Sequence, residues 1–105
     1  MGIKEFLKII SPDGENRLRV KIVVEKGKVI DIVVQYEARL EDKWHGIVRY
    51  DCSHGFFHRD IVHPNGDKDK YPIPITNLND AVLYAEQDIK DRWKWYRERF
   101  KKEMK

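Results

Sequence analysis

The sequence has a single cysteine, Cys52, among 105 residues. One thiol cannot form an internal disulfide, and it also excludes the zinc sites that are built from several cysteines. A metal site in this chain would therefore use histidine and carboxylate ligands. The sequence contains neither a glycine-rich phosphate loop nor a nucleophile elbow, which argues against P-loop nucleotide hydrolysis and serine esterase chemistry.

Long hydrophobic runs are absent too. Charged residues interrupt each apolar stretch, as Asp31 does within residues 29–34. A membrane span needs about 18 consecutive apolar residues, and the stretches in this sequence are much shorter. The opening residues, MGIKE, lack the apolar region of a signal peptide. We therefore expect a cytoplasmic protein with no membrane partner.

The composition is typical of a folded protein. Hydrophobic residues make up 41% of the chain, and the charged residues, 37%, are of both signs and leave a formal net charge of +3. A chain of 105 residues with this content can build one core but not two. We expect a single domain over residues 1–105, with a β-sheet in 1–75 and a C-terminal helix in 76–105.

The spacing of the apolar residues changes near residue 76. Before it they alternate with a period of two, as in strands, and after it they recur every three or four residues, as on one face of a helix. The strand-like segments are residues 4–10, 18–24, 30–40, 44–51, 56–63 and an edge segment at 71–74. Thr76 or Asn77 can cap the helix. Its apolar stripe consists of Leu78, Val82, Ala85, Ile89, Trp93, Tyr96 and Phe100. The pattern predicts an α+β fold, an antiparallel β-meander of about five to six strands with one long C-terminal helix packed on one face.

The first register that can be predicted is that of the hairpin around residues 26–28. A three-residue loop there places Ile22 beside Ile30 and Val20 beside Ile32. Since a two-residue loop would bring apolar residues opposite charged ones, the three-residue loop is favoured.

A second hairpin joins the segments 44–51 and 56–63. A two- or four-residue loop places Arg49 opposite His58 and Asp51 opposite Phe56. One face of this hairpin then carries the polar side chains His45, Arg49, Asp51, His58 and Asp60. The other face is apolar and is expected to lie under the helix, with Trp44, Val48, Tyr50, Phe57 and Ile61.

All four histidines lie between residues 45 and 63. Histidine transfers protons readily because its ordinary pKa lies near neutrality. In RNA cleavage, one of His54 and His58 can take the proton of a ribose 2′-hydroxyl while the other protonates the leaving oxygen. An arginine stabilises the charge that builds on the phosphoryl group. The alternative is that these residues form ordinary pairs on a polar sheet face.

A metal site is another use of the same residues. His54, His58 and His63, or Asp51 with His58, offer nitrogen and oxygen ligands to a divalent zinc, manganese or nickel ion. No other cofactor is predicted.

The C-terminal end of the helix is a second candidate surface, for RNA or for a partner protein. Basic side chains neutralise phosphates and aromatic rings stack on bases. The candidate residues are Arg92, Trp95, Arg97, Arg99, Lys101 and Lys102. The same cations also suit the negative end of a helix dipole, which is the structural alternative. Trp95 lies off the apolar stripe, and with the edge segment at 71–75 it favours a homodimer or another protein partner.

The hairpin sequence resembles known proteins. It contains, in order, Arg49-Tyr50-Asp51, His54-Gly55, His58-Arg59-Asp60, His63-Pro64 and Gly66. This series, with the Trp- and Arg-rich helix that follows, resembles a family of small uncharacterised archaeal and bacterial proteins. More distantly it is similar to the TumE-type toxins of toxin–antitoxin modules, although His54-Gly55 stands where those toxins carry adjacent histidines. The positions that the resemblance carries over are Arg49, Asp51, His54, His58, Arg59 and His63.

The resemblance to TumE-type toxins implies a ribonuclease, with RNA as substrate and a helix-turn-helix antitoxin as partner. The residues then have three roles, which are proton transfer by histidines, phosphate binding by an arginine and orientation of a histidine by a carboxylate. The predicted catalytic set is His54, His58, Arg49, Asp51, Arg59 and Asp60. The alternative function is a non-catalytic module that binds RNA or a protein through the basic helix end.

Overall fold

The structure is a computed structural model that describes residues 1–53 and 55–104. This part of the chain contains six strands and one helix, β1 (Gly2–Ile9), β2 (Asn16–Glu25), β3 (Lys28–Leu40), β4 (Lys43–Asp51), β5 (His58–Val62), β6 (Lys68–Pro72) and α1 (Leu78–Glu103). Each strand pairs antiparallel with the next one along the chain, so the sheet order is β1-β2-β3-β4-β5-β6. The predicted α+β meander with a C-terminal helix is confirmed.

Helix α1 begins after Asn77, one of the two predicted caps. The Asn77 side chain accepts a hydrogen bond of 3.1 Å from the backbone N–H of Asp80, which satisfies a donor of the first turn. The apolar stripe of α1 packs mainly on β3 and β4, with the Trp93 ring edge-on to that of Tyr36 at 6.5 Å. In the described part of the chain, no helix is long and apolar enough to cross a membrane. We call the sheet face opposite the helix the open face.

The turn between β2 and β3 is shorter than predicted. It has two residues, 26 and 27, with positive φ of 50° and 76°. This turn alone would bring Ile22 opposite Asp31, but a bulge shifts the register and pairs Ile22 with Ile32. The predicted three-residue loop is therefore wrong. The predicted partners are also wrong by two residues, since Val20 pairs with Val34, but the bulge still brings apolar residues opposite each other.

A second bulge lies between β3 and β4. Tyr36 pairs with Val48 but Glu37 pairs with Gly46, so Ile47 is the extra residue. One extra residue exchanges the two faces for the part of the strand that precedes it.

Because of this bulge, the predicted faces of two aromatic residues, His45 and Trp44, are wrong. His45 lies on the helix side, with its ring 5.5 Å from that of Phe100. Trp44 lies on the open face, where the Arg17 guanidinium sits 3.7 Å from its ring centroid. The sequence pattern placed them the other way round because it assumed regular alternation.

The β4–β5 hairpin has a longer loop than predicted. Asp51 pairs with His58 and Arg49 with Asp60, which leaves residues 52–57 in the loop. Gly55 helps it to turn, since its φ is 82° and its N–H donates to the Cys52 carbonyl at 3.0 Å. The predicted cross-strand partners are wrong by two residues. Because a shift of two preserves the faces, the polar residues at 49, 51, 58 and 60 still share one face.

The two edges of the sheet differ. Every residue of β1 is exposed, including the apolar Ile3, Phe6 and Leu7. Strand β6 forms the other edge and ends at Pro72, which has no N–H for a further ladder. A sheet edge is thus found where it was predicted, but the strand spans residues 68–72 and not 71–74.

Candidate functional site

Two rows of paired residues cross the open face. The first row consists of Leu7, Arg19, Gln35, Arg49, Asp60 and Lys70, and the second of Glu5, Lys21, Val33, Asp51, His58 and Pro72. Paired residues in an antiparallel sheet project to the same side. Four residues of the predicted catalytic set therefore lie together, next to cations of β2. We call Asp51, His58 and Asp60 the aspartate–histidine cluster.

His58 lies at the centre of the cluster and is 0% exposed. Its Nδ1 is 3.2 Å from the Phe56 carbonyl oxygen. Since a carbonyl only accepts hydrogen bonds, this contact assigns a proton to Nδ1. Its Nε2 then faces two carboxylates, at 2.9 Å from Asp51 Oδ1 and 3.5 Å from Asp60 Oδ2.

Asp51 is 5% exposed but well supplied with donors. Its Oδ2 accepts from Arg49 Nε at 2.7 Å, and its Oδ1 accepts from the Ser53 N–H at 3.1 Å and from the Ser53 hydroxyl at 3.0 Å. Burial by itself raises the pKa of Asp51, but the hydrogen bonds from Arg49 and Ser53 outweigh it and hold the pKa below its ordinary value. Asp51 is therefore an anion at neutral pH.

Asp60 has fewer donors. It is 5% exposed, and within residues 1–53 and 55–104 its buried Oδ1 has no hydrogen-bond partner. A carboxylate oxygen out of contact with water and donors is costly. The cluster thus contains a buried carboxyl oxygen that no donor among the described residues reaches.

A groove of about 360 Å³ adjoins the cluster on the open face. Its charged lining residues are Glu5, Arg19, Lys21 and Arg49, and its apolar lining residues are Phe6, Leu7, Val20 and Val33. We call it the cationic groove. Arg49 belongs to both sites, because it lines the groove and donates to Asp51, and its side chain remains 38% exposed.

Arg59 does not join the other predicted catalytic residues. It lies between His58 and Asp60 in β5, so its side chain projects to the helix side. There its Nη1 is 3.3 Å from the Tyr96 hydroxyl and 3.7 Å from Asp88 Oδ2. The strand alternation contained this signal, since neighbours in a strand face opposite ways.

The predicted metal ligands are also separated. His63 contacts Asp69 through Nε2 at 2.7 Å and Glu103 through Nδ1 at 3.0 Å, near the end of α1. The hydrogen bonds to Asp69 and Glu103 raise the pKa of His63 above its ordinary value. His58 and His63 therefore belong to different groups. His54 lies outside the described residues, so its predicted roles as a catalytic residue and a metal ligand stay predictions.

The basic end of α1 divides into two parts. Trp95 is 59% exposed, and Arg99 places its guanidinium 5.9 Å from the Trp95 ring centroid. Lys102 lines the same shallow pocket. Arg97 is only 24% exposed and lines a different pocket with Lys101. The predicted surface is thus smaller than the sequence pattern indicated.

Three residues at these sites were missed by the sequence reasoning. Ser53 and Phe56 contact the cluster from the loop, and Asp88 is a residue of α1 that faces Arg59 of the sheet. The local pattern gave no role to Ser53, and it placed Phe56 opposite Asp51 without assigning its carbonyl a contact with His58. Asp88 lies outside the apolar stripe of the sequence, yet its carboxylate accepts a hydrogen bond from Tyr96, eight residues further along the helix.

Comparison with known proteins gives one match. Residues 1–105 match a family model described as a domain of unknown function, DUF7718. The chain belongs to the DUF7718 family. No curated protein and no solved structure matches it. The open face of this DUF7718 protein combines a cationic groove, which suits anions, with a buried group of two carboxylates and one imidazole, which suits a cation or a proton.

Proposed function

We propose that this protein binds RNA on the open face of the sheet and cleaves it there. The register carries the proposal, because it places the cationic groove directly beside the aspartate–histidine cluster. Arg19, Lys21 and Arg49 supply positive charge for neighbouring phosphates. A guanidinium at the reacting phosphate also stabilises the charge that develops in the transition state.

RNA is the substrate class that fits these groups. Its 2′-hydroxyl can attack the adjacent phosphate, so the protein needs proton transfer and charge stabilisation but no nucleophile of its own. The resemblance of the hairpin sequence to TumE-type toxins supports the same substrate. Under this proposal the expected partner is a helix-turn-helix antitoxin, and the homodimer stays a prediction.

The residues take distinct roles in this proposal. Arg49 contacts the phosphate, since it is the exposed member of the site. Asp51 orients Arg49 through the 2.7 Å hydrogen bond. His58 is buried between Asp51 and Asp60, with which it can exchange a proton. His54 is proposed as the acid or base that the sequence predicts. Arg59 anchors the helix and does not touch the substrate.

Arg49→Gln tests the proposal against a matched variant, Arg39→Gln. Both arginines form ion pairs and have similar exposure, 38% and 45%, but Arg39 does not line the cationic groove. We expect the native protein to cut labelled single-stranded or structured RNA, and Arg49→Gln to cut it about 100-fold more slowly. Arg39→Gln should cut at the native rate. Folded native protein that leaves RNA intact, or equal losses in both variants, would contradict the proposal.

A second function is favoured by the exposed Trp95. Arg92, three residues before it and with a side chain 62% exposed, shares its side of the helix with Arg99 and Lys102. A large exposed ring among cations is typical of a surface that stacks on bases or anchors a protein partner. We propose this helix surface as a non-catalytic binding site for RNA or a partner protein.

A further inference from the structure

We propose that the aspartate–histidine cluster binds one divalent transition-metal ion through Asp51, His58 and Asp60. Nothing in the ligand arrangement depends on RNA, so the inference stands independently of the cleavage proposed above. If both hold, the ion lies beside Arg49 at the edge of the cationic groove.

The ligand atoms lie near the spacing that one ion requires. One ligand atom from each of the three residues lies within 4.8 Å of the others. The contacts of His58 Nε2 with the two carboxylates measure 2.9 and 3.5 Å. Ligands about 2.1 Å from an ion lie about 3.0 Å apart in octahedral and about 3.4 Å apart in tetrahedral coordination. Small side-chain adjustments therefore suffice to bring all three onto one ion.

The surrounding hydrogen bonds hold the ligands in a binding orientation. A histidine that coordinates a metal usually donates its other ring N–H to a carbonyl or carboxylate. Here Nδ1 of His58 contacts the Phe56 carbonyl oxygen, which directs Nε2 into the cluster. Arg49 and Ser53 fix the Asp51 carboxylate in the same way.

Asp60 gives the independent indication of a ligand, because one of its buried oxygens is without a hydrogen-bond partner in the described part of the chain. It is more than nine-tenths buried and its carboxylate faces His58, yet its Oδ1 lacks a hydrogen-bond partner within the described ranges. A buried carboxylate normally has donors or a metal ion around it. An ion between Asp60 and Asp51 would give this oxygen a partner.

The ligand set selects the class of metal. Two carboxylate oxygens and one imidazole nitrogen suit Mn²⁺, Fe²⁺ or Zn²⁺, whereas Ca²⁺ and Mg²⁺ prefer oxygen ligands throughout. Three protein ligands also leave at least one coordination position for water or a substrate oxygen. The alternative occupant of the same space is a proton on Nε2 shared with both carboxylates, which would bind no metal.

Isothermal titration with MnCl₂ and with ZnCl₂, on protein freed of metal by chelation and dialysis, tests the inference. We expect the native protein to bind one equivalent of at least one of the two ions. Loss of an outer contact to a metal ligand weakens binding about 10- to 100-fold, so Asp60→Asn, which removes a ligand charge, should weaken it at least that much. Asp60→Asn keeps the side-chain volume and removes a buried charge, so it should remain folded by circular dichroism.

The matched control is His63→Gln, which disrupts a second histidine–carboxylate group outside the cluster. This variant should bind the metal as the native protein does. Absence of metal binding by the native protein would overturn the inference and favour the shared proton. Equal affinities of Asp60→Asn and native protein would also overturn it. The titration does not involve RNA. A protein that binds the metal but does not cleave RNA would therefore contradict only the proposed function.

Discussion

The Tyr50 hydroxyl of β4 donates a hydrogen bond to the Asp88 carboxylate of α1. The same oxygen of Asp88 accepts from the Tyr96 hydroxyl at 2.5 Å. Burial and the hydrogen bond to Asp88 raise the pKa of Tyr96 to about 12, and the same causes raise the pKa of Tyr50 further. Both hydroxyls thus stay protonated donors, and one carboxylate joins the helix to the sheet.

Asp88→Ala should therefore destabilise the fold. The substitution leaves two buried hydroxyls without their acceptor and Arg59 without its carboxylate, which together cost about 3 kcal/mol of unfolding free energy. Urea unfolding followed by circular dichroism measures this loss. Asp91→Ala is the control, because Asp91 is exposed on the same helix, and it should cost less than about 0.5 kcal/mol. Similar losses in the two variants would show that Asp88 does not join the layers.

The His63 contacts predict a stability that falls as the solution becomes alkaline. Asp69 and Glu103 raise the folded-state pKa of His63 above its ordinary value of 6.5. The contribution is fully present below pH 6.5 and is lost as the pH rises through the raised folded-state pKa. Urea unfolding across this range should show a steeper decline for native protein than for His63→Gln. Parallel pH profiles, or a His63 NMR titration at the ordinary pKa, would contradict the prediction.

The hydrogen bonds that Glu37 accepts predict that the protein loses stability in acid. It is 6% exposed and accepts hydrogen bonds from Arg17, Arg19 and Gln35. Burial raises the pKa of Glu37, but these donors outweigh it and lower the pKa below 4.5. Its contribution is present above pH 4.5 and is lost as the pH falls through the lowered folded-state pKa.

Glu37→Gln should lower the free energy of unfolding by about 2 kcal/mol at neutral pH and flatten the acid limb of the stability profile. Glu25→Gln, at an exposed position of β2, should leave both unchanged. The measurement is urea unfolding at neutral and acidic pH. An acid limb as steep in Glu37→Gln as in the native protein would assign the loss to other carboxylates.

Trp95→Ala tests the helix surface. Stacking of one base on an aromatic side chain contributes about 1–3 kcal/mol, so the variant should bind RNA about tenfold or more weakly. Fluorescence anisotropy with labelled RNA measures the affinity, and Leu83→Ala, which removes another exposed side chain of α1, is the control. Unchanged RNA affinity, with a partner protein also bound normally, would show that this surface is not a binding site.

Much of the fold could be predicted from the sequence because its causes are local. Alternating apolar residues in Leu18, Val20, Ile32 and Val34 define the buried face of two strands, and all four are 0% exposed. The Asn77 cap and the α1 stripe follow from helical spacing in the same way. The turn length at 26–27 and both bulges could not be predicted from the sequence, since they depend on which of several registers packs best across the whole sheet.

The sequence predicted which residues form the candidate site but not how they are arranged. Alternation and an even shift of register kept Arg49, Asp51, His58 and Asp60 on one face. The burial of Asp51, His58 and Asp60 was unexpected, because the pattern described an exposed polar face.

The sequence by itself determined the helix, the two candidates for its cap and most of the strand faces, because these follow from periodicity and from side chains next to one another in the chain. Only the tertiary structure decided that His58 is enclosed between two carboxylates, that Arg59 faces Asp88, and that His63 joins the end of α1. Those contacts join residues far apart in sequence or depend on an unpredicted loop length. They are fixed by packing of the whole sheet against the helix, which no local pattern records.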